Sequence, residues 1–248
     1  MLQAQTFHPA QMAAGDREAW RALAAVGDRP SPLLGPDFTE LVGRVRPDAL
    51  VTIWRTADGA PAAFLPHHRR GSVAHPIGAP LSDYHGAVTT PGFDLEAALA
   101  TAGLSAYRFS SRIVEVPPAP EAAREGFLIA LDDGPDAYLE SLRQARPKSF
   151  KNYRRLGHRL ERDFGPLRIT AGSPRHVLDT LVAWKRQQFV RTGGYDVLRP
   201  AWVGALLQNL FAMDDPAFGA VRDLAYDVVE LEPVEGAPGA GQQGLDPF

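Results

Sequence analysis

Three consecutive residues carry groups that could grip or activate a substrate: Asp83, Tyr84 and His85 offer a carboxylate, a phenol and an imidazole. They stand in Leu81-Ser82-Asp83-Tyr84-His85, a stretch framed by Pro76, Gly78, Pro80 and Gly86. Such framing predicts an irregular loop that presents the three side chains together for substrate contact. The competing reading is a structural turn in which Asp83 bonds nearby backbone amides. Ser82, Asp83 and His85 also include the residue types of a hydrolase triad. There is no Gly-x-Ser-x-Gly elbow, however, and a contiguous trio cannot adopt the relay geometry.

Imidazole is a common metal ligand, and His67, His68, His75 and His85 fall in one region. Adjacent His67 and His68 in an extended segment point to opposite faces, and no His-Glu-x-x-His pattern exists, so no metal site is expected. A second concentration of charge lies between Arg146 and Arg162, where seven Lys or Arg face only Glu161 and Asp163. That row could hold phosphates or a polyanion. Equally, the side-chain stems could cover apolar surface while their heads stay in water. Nucleic acid is not an expected partner, because the chain carries a net charge of −3 and shows no DNA-binding motif or aromatic stacking array. Backbone amides at a helix N-terminus could hold the pyrophosphate of a coenzyme in an Arg/Gln-x-x-Gly-x-Gly/Ala turn. Arg154-x-x-Gly157, Arg162-x-x-Gly165 and Arg191-x-x-Gly194 begin that pattern, and each fails at its last position, which reads Arg159, Leu167 and Asp196. Phosphate-binding and dinucleotide-binding glycine patterns are absent as well.

The elements that must position these groups follow from periodicity and turn chemistry. Trp20, Leu23 and Val26 mark a helix that stops at Gly27 to Pro32, and Pro36 opens a second, closed by Pro47. Leu50–Trp54 and Ala62–Leu65 predict two strands joined at Asp58-Gly59 by a primed turn. Further strands are expected at Val73–Ile77, Tyr107–Phe109, Ile113–Val116, Phe127–Leu131 and Leu167–Ala171. Helices are expected over Asp94–Ala102, Pro135–Leu142, from Pro147 to Gly165, from Pro174 to Arg191, and from Pro200 onward with Leu206, Leu207, Leu210 and Phe211 inward. This alternation predicts an α/β or α+β layer structure: a mixed sheet flanked by helices. With 248 residues, 45% hydrophobic and 22% charged, the chain has material for one large domain or two small ones. It contains no cysteine, no signal-like start and no apolar run long enough to span a bilayer, so a cytoplasmic protein is expected. Beyond Phe218 the texture becomes acidic and rich in Gly and Pro, with Val228, Val229 and Leu231 as a residual strand at most, and residues 221–248 read as disordered.

Several segments together resemble the CelD/BioF2-like acyltransferases of the GNAT type. They are Ser31-Pro32-Leu33-Leu34-Gly35-Pro36-Asp37-Phe38, Phe64-Leu65-Pro66, Pro76-x-Gly78-x-x-Leu81-Ser82-Asp83-Tyr84-x-Gly86, and Lys151-x-x-x-Arg155 leading to Gly165-Pro166-Leu167. Trp184-Lys185-x-x-Gln188 and Thr192-Gly193-x-x-Asp196 complete the set, which spans about residues 20 to 219. The resemblance implies two GNAT-like units, the first over residues 1–130 and an incomplete second over 131–220. It also implies transfer of an acyl group from acetyl-CoA or another acyl-CoA, bound as a co-substrate, to a small-molecule or saccharide acceptor in polysaccharide or cell-envelope biosynthesis. On this reading Lys185, Gln188 and Asp196 join Asp83, Tyr84 and His85 as substrate-binding groups. The resemblance ends after Gly219, where an acyl-CoA-binding strand and helix would follow, so a truncated and impaired enzyme is one expectation. A non-catalytic binding or scaffolding protein that keeps a GNAT-like unit is the other.

Overall fold

Short β-branched and aromatic runs between turns build a sheet here, and two amphipathic helices cover it before the chain reaches its polar loop. The computed structural model describes residues 2–26, 31–110, 129, 131–165 and 175–213. The chain divides into two compact units, one of Met1–Glu125 with Leu178–Val221 and the other of Gly126–Val177 with Arg222–Phe248.

In the first unit β1 (Gln3–Phe7) leads to α1 (Ala14–Val26) and α2 (Pro36–Val45), then to β2 (Ala49–Arg55), β3 (Pro61–Arg70) and β4 (Val73–Pro76). After the loop come β5 (Val88–Thr89), α3 (Leu95–Leu99) and β6 (Ala106–Tyr107). The six-stranded sheet has the order β1-β2-β3-β4-β6, with β5 paired to β3. All pairs are antiparallel except β4 with β6, which run parallel with Val73 opposite Ala106. A parallel pair needs a crossover, and the loop, β5 and α3 supply it.

Alternation along β2 and β3 sends side chains to two cores. Trp54, Ala63, Leu65 and Ala74 meet Leu95, Ala98, Leu99 and Leu104 on one face. Trp54 Nε1 donates to Ala98 O at 3.1 Å and to Thr101 Oγ1 at 2.9 Å, so the indole keeps its hydrogen bonds while buried. Val51, Ile53 and Phe64 meet Met12 and Trp20 on the other face. Next to them Phe38, Leu41 and Val42 of α2 pack with Ala49, Ile77 and Leu206. Leu206 belongs to α7 (Ala201–Ala212), whose buried residues are Val203 and Leu206. Leu207 and Phe211 are only half-buried, so the inward side of α7 is turned toward Val203 relative to the expected stripe.

In the second unit α4 (Pro135–Ala145) packs against α5 (Pro147–Phe164), and Gly165 at φ 85° ends the latter. α6 (Arg175–Thr192), which from Leu178 on belongs to the first unit, is ended by Gly193 at φ 66°. The apolar spacing of α6 does not mark a buried stripe among the described residues: Leu181, Trp184 and Val190 are exposed.

Two sequence expectations need correction in detail. The β2–β3 hairpin is present, but Gly59 alone has positive φ, at 88°, and no non-glycine residue does. The turn therefore spans Thr56 to Ala60, with Thr56 N–H donating to Ala60 O, and the register shifts at Trp54/Arg55. A bulged connection replaces the two-residue primed turn, which would have needed positive φ at Asp58 too. The strand β1, with Gln3 and Gln5 exposed, was not expected at all. The expected strands Ile113–Val116 and Leu167–Ala171, the residual strand at Val228, Val229 and Leu231, and the tail 221–248 lie outside the described residues. So does Phe127–Leu131, save for Ile129 and Leu131.

Candidate functional site

The loop that carries Asp83, Tyr84 and His85 begins where β4 ends, at one end of the parallel pair β4 and β6. Crevices at the carboxyl ends of parallel strands are where open α/β sheets bind ligands. What makes this loop a fixed structure is a set of backbone bonds made by buried polar side chains.

At its base Gly78 holds φ 67°, and a Cβ there would lie 2.9 Å from Phe38 Cζ. Both the left-handed conformation and the contact with the α2 ring require glycine. Gly78 N–H donates to His68 Nε2 at 3.3 Å, which fixes the tautomer: Nδ1 carries the proton and faces Asp48 O at 3.3 Å. Asp48 is in turn gripped by Arg46, whose Nε and Nη2 donate to Oδ1 and Oδ2 at 2.8 and 2.6 Å. The Arg46 hydrogen bond holds the Asp48 carboxyl below its usual range. Burial pushes the His68 imidazole below its ordinary value, outweighing the Asp48 charge, so the ring stays a neutral acceptor for Gly78.

Farther along, Ser82 Oγ donates to Ile77 O at 2.7 Å and closes the turn on itself. Ser110 N–H donates to His85 Nδ1 at 3.3 Å, so His85 carries its proton on Nε2 and donates it to Ser82 O at 3.0 Å. His85 thus joins the segment after β4 to the segment after β6. Its ring is buried, which lowers its pKa against the opposing pull of the Ser82 bond and the Asp83 charge. Asp83 and Tyr84 point the other way and are exposed, Tyr84 at 39%. The three expected site residues are therefore together, but their parts differ. Both ring nitrogens of His85 are engaged in holding the loop, and the groups free to meet a ligand are the Asp83 carboxylate and the Tyr84 phenol.

The second expected set lies on and after α6. Lys185 Nζ donates to Gln188 Oε1 at 3.0 Å and sits 5.2 Å from the centre of the Phe189 ring. Asp196 accepts from Arg186 Nε at 3.0 Å and from Leu198 N–H at 3.0 Å, shaping the turn beyond the helix. The hydrogen bonds of all three residues stay within this segment. Trp184 beside them is 43% exposed, so burial of its indole does not account for the polar cluster. Contact between this stretch of chain and the loop comes through α7: Leu206 clusters with Ile77, and Leu81, Trp202 and Leu210 border the same core. Arg46, which holds Asp48, also lies 5.2 Å from the Trp202 ring centre.

None of the three incomplete phosphate turns has the right setting. Gly157 is inside α5, Gly165 caps its C-terminus, and Gly194 follows the C-terminus of α6. A helix C-terminus bears partial negative charge and disfavours a pyrophosphate. His67 and His68 diverge across β3, and His67 Nδ1 bonds Leu65 O at 3.0 Å. Sequence reasoning missed Asp48, His68 and Ser110 as the ties of the loop. The glycine between Pro76 and Pro80 was the available signal for His68; a bond between residues 85 and 110 leaves no trace in local pattern.

No curated protein and no solved structure matches the chain. Among the described residues no helix is long and apolar enough to cross a membrane. The mixed sheet flanked by helices is consistent with a GNAT-like fold. Residues 147–231, which hold α5, α6, α7, Lys185, Gln188 and Asp196 and run on past Gly219, match the family model described as an acetyltransferase (GNAT) domain.

Proposed function

We propose that this chain transfers an acyl group from acyl-CoA to an amine or hydroxyl acceptor in the manner of the CelD/BioF2-like enzymes, with a saccharide or other cell-envelope precursor as acceptor. The observation that carries the proposal is the match of residues 147–231 to a GNAT acetyltransferase domain. In such a transfer the acceptor nitrogen or oxygen attacks the thioester carbonyl. A C–N or C–O bond forms, the C–S bond breaks, CoA leaves as the thiol, and the acceptor's proton passes to a base.

The loop supplies the acceptor side. Asp83 accepts a hydrogen bond from the attacking N–H or O–H and takes its proton, Tyr84 orients the acceptor through its phenol and ring, and His85 keeps both in place through Ser82 and Ser110. Lys185, Gln188 and Asp196 are the polar groups that the matched segment contributes to the substrate pocket. One observation favours a second reading, a non-catalytic binding protein: the three incomplete phosphate turns sit inside helices or at their C-terminal ends.

Thiol release from acetyl-CoA, followed with a panel of amino sugars and neutral saccharides, separates the two. Proton transfer to a positioned base is worth roughly a hundredfold or more in rate. Asp83→Asn is therefore expected to lower turnover about a hundredfold while acetyl-CoA binding is unchanged. Release that is absent with every acceptor, or equal in Asp83→Asn, would favour the binding protein or place the base elsewhere.

A further inference from the structure

The proposed transfer assigns no role to the cationic row of α5, of which Lys151 and Arg155 also belong to the family resemblance. Lys151, Arg154, Arg155, His158, Arg159 and Arg162 recur at three- and four-residue spacing along α5 and line one shallow depression of its surface. Lys148 extends the row by a turn. Among the described residues acids temper its C-terminal half, where Asp163 meets Arg159 at 3.4 Å and Arg162 at 3.0 Å and Glu161 lies 3.7 Å from His158. Lys148, Lys151, Arg154 and Arg155 have no carboxylate partner among the described residues. The opposite arc of the same helix carries Phe150, Tyr153, Leu156 and Leu160. Of these, Tyr153 is 64%, Leu156 44% and Leu160 43% exposed.

Each class of anion asks something different of such a helix. A single phosphate or nucleotide needs cations that converge, and a row along an 18-residue helix, about 27 Å long, does not converge. A nucleic acid would engage the cationic arc and would place no demand on the arc behind it. A lipid surface uses both: headgroup phosphates take the Lys and Arg, and the acyl boundary takes the aromatic and leucine side chains. Of these three classes the lipid surface alone uses the exposed apolar residues opposite the cations. We infer that α5 is an interfacial helix that seats this chain on an anionic phospholipid bilayer, lying in the headgroup plane without crossing it. The inference is independent of the acyl-transfer reading.

Co-sedimentation of the full chain with vesicles tests it. Vesicles of roughly one-third phosphatidylglycerol in phosphatidylcholine are expected to pellet the chain, pure phosphatidylcholine is not, and raised salt weakens the binding. Each cation near the surface contributes about fivefold, so Lys151→Gln with Arg155→Gln should weaken binding on the order of 25-fold. Both side chains are exposed, so these variants should keep the wild-type circular dichroism. Leu156→Gln with Leu160→Gln should weaken vesicle binding at least about tenfold while retention on heparin is unchanged. Absence of binding to the anionic vesicles overturns the inference. So does binding that follows the cations alone on vesicles and heparin alike, which would mark a general polyanion surface.

Discussion

Truncating Trp20 to alanine is expected to cost about 3–5 kcal/mol of unfolding free energy. Its indole is fully buried, lies nearly parallel to the Phe64 ring with centroids 5.0 Å apart, and clusters with Met12, Val51 and Ile53. It is the main side chain by which α1 holds the sheet face made by β2 and β3, so its loss leaves a cavity that neither Ala19 nor Leu23, each only partly buried, can fill. Trp20→Phe should cost much less, since a ring still stacks on Phe64 and the replacement removes Nε1, which is buried without a partner. Urea unfolding of the three proteins checks this. Equal losses for alanine and phenylalanine would mean that the indole nitrogen, rather than ring packing, carries the effect.

The second large effect is a pH dependence set by His67. Its ring is fully buried in β3, Nδ1–H donates to Leu65 O, and Nε2 has no partner. Burial lowers its pKa from 6.5 to about 4, against the opposing effect of the Leu65 bond. The folded state therefore resists a proton that the unfolded chain accepts. Above pH 6.5 the residue is neutral in both states and contributes no slope. As pH falls from 6.5 toward about 4 the unfolded state gains protons and stability drops, by about 3 kcal/mol in all; below that both states are protonated and the loss levels off. His68 and His85 are shifted in the same direction and steepen the same window, while the lowered carboxyls of Asp48 and Asp58 act below it. His67→Leu keeps the volume and removes the titration. Guanidinium unfolding at pH 7 and pH 4.5 should show a clear loss for the wild type and a smaller one for the variant; parallel losses would mean His67 is protonated in the fold.

How far the sequence made the fold legible differs from element to element for physical reasons. α2 and α5 were readable because a 3.6-residue apolar period follows a Pro start in each, and the β2–β3 hairpin because Asp58-Gly59 separates two apolar runs. β1 was not, because it is an edge strand on β2 in which Gln3, Gln5 and Thr6 are exposed, so no apolar alternation survives. α6 shows the opposite failure, since Leu181 and Trp184 keep helical spacing while remaining exposed. At the site, loop chemistry drew attention to residues 83–85, yet periodicity could not show that His85 faces inward to Ser110 or that His68 holds Gly78. Those contacts join residues 25 and 10 positions apart and depend on which strands pair. The division of labour between an exposed Asp83 and Tyr84 and a buried His85 is thus a property of the sheet, written nowhere in the local pattern.

The central claim, a donor site for acyl-CoA in this chain, meets its most direct test in thermal unfolding with and without millimolar acetyl-CoA. A ligand of the folded state stabilises it by RT ln(1 + [L]/Kd), about 2.7 kcal/mol at a hundredfold excess over Kd. The transition should rise by several degrees with acetyl-CoA and stay unmoved by an equal concentration of acetate. A cooperative transition at the same temperature in both would contradict the claim.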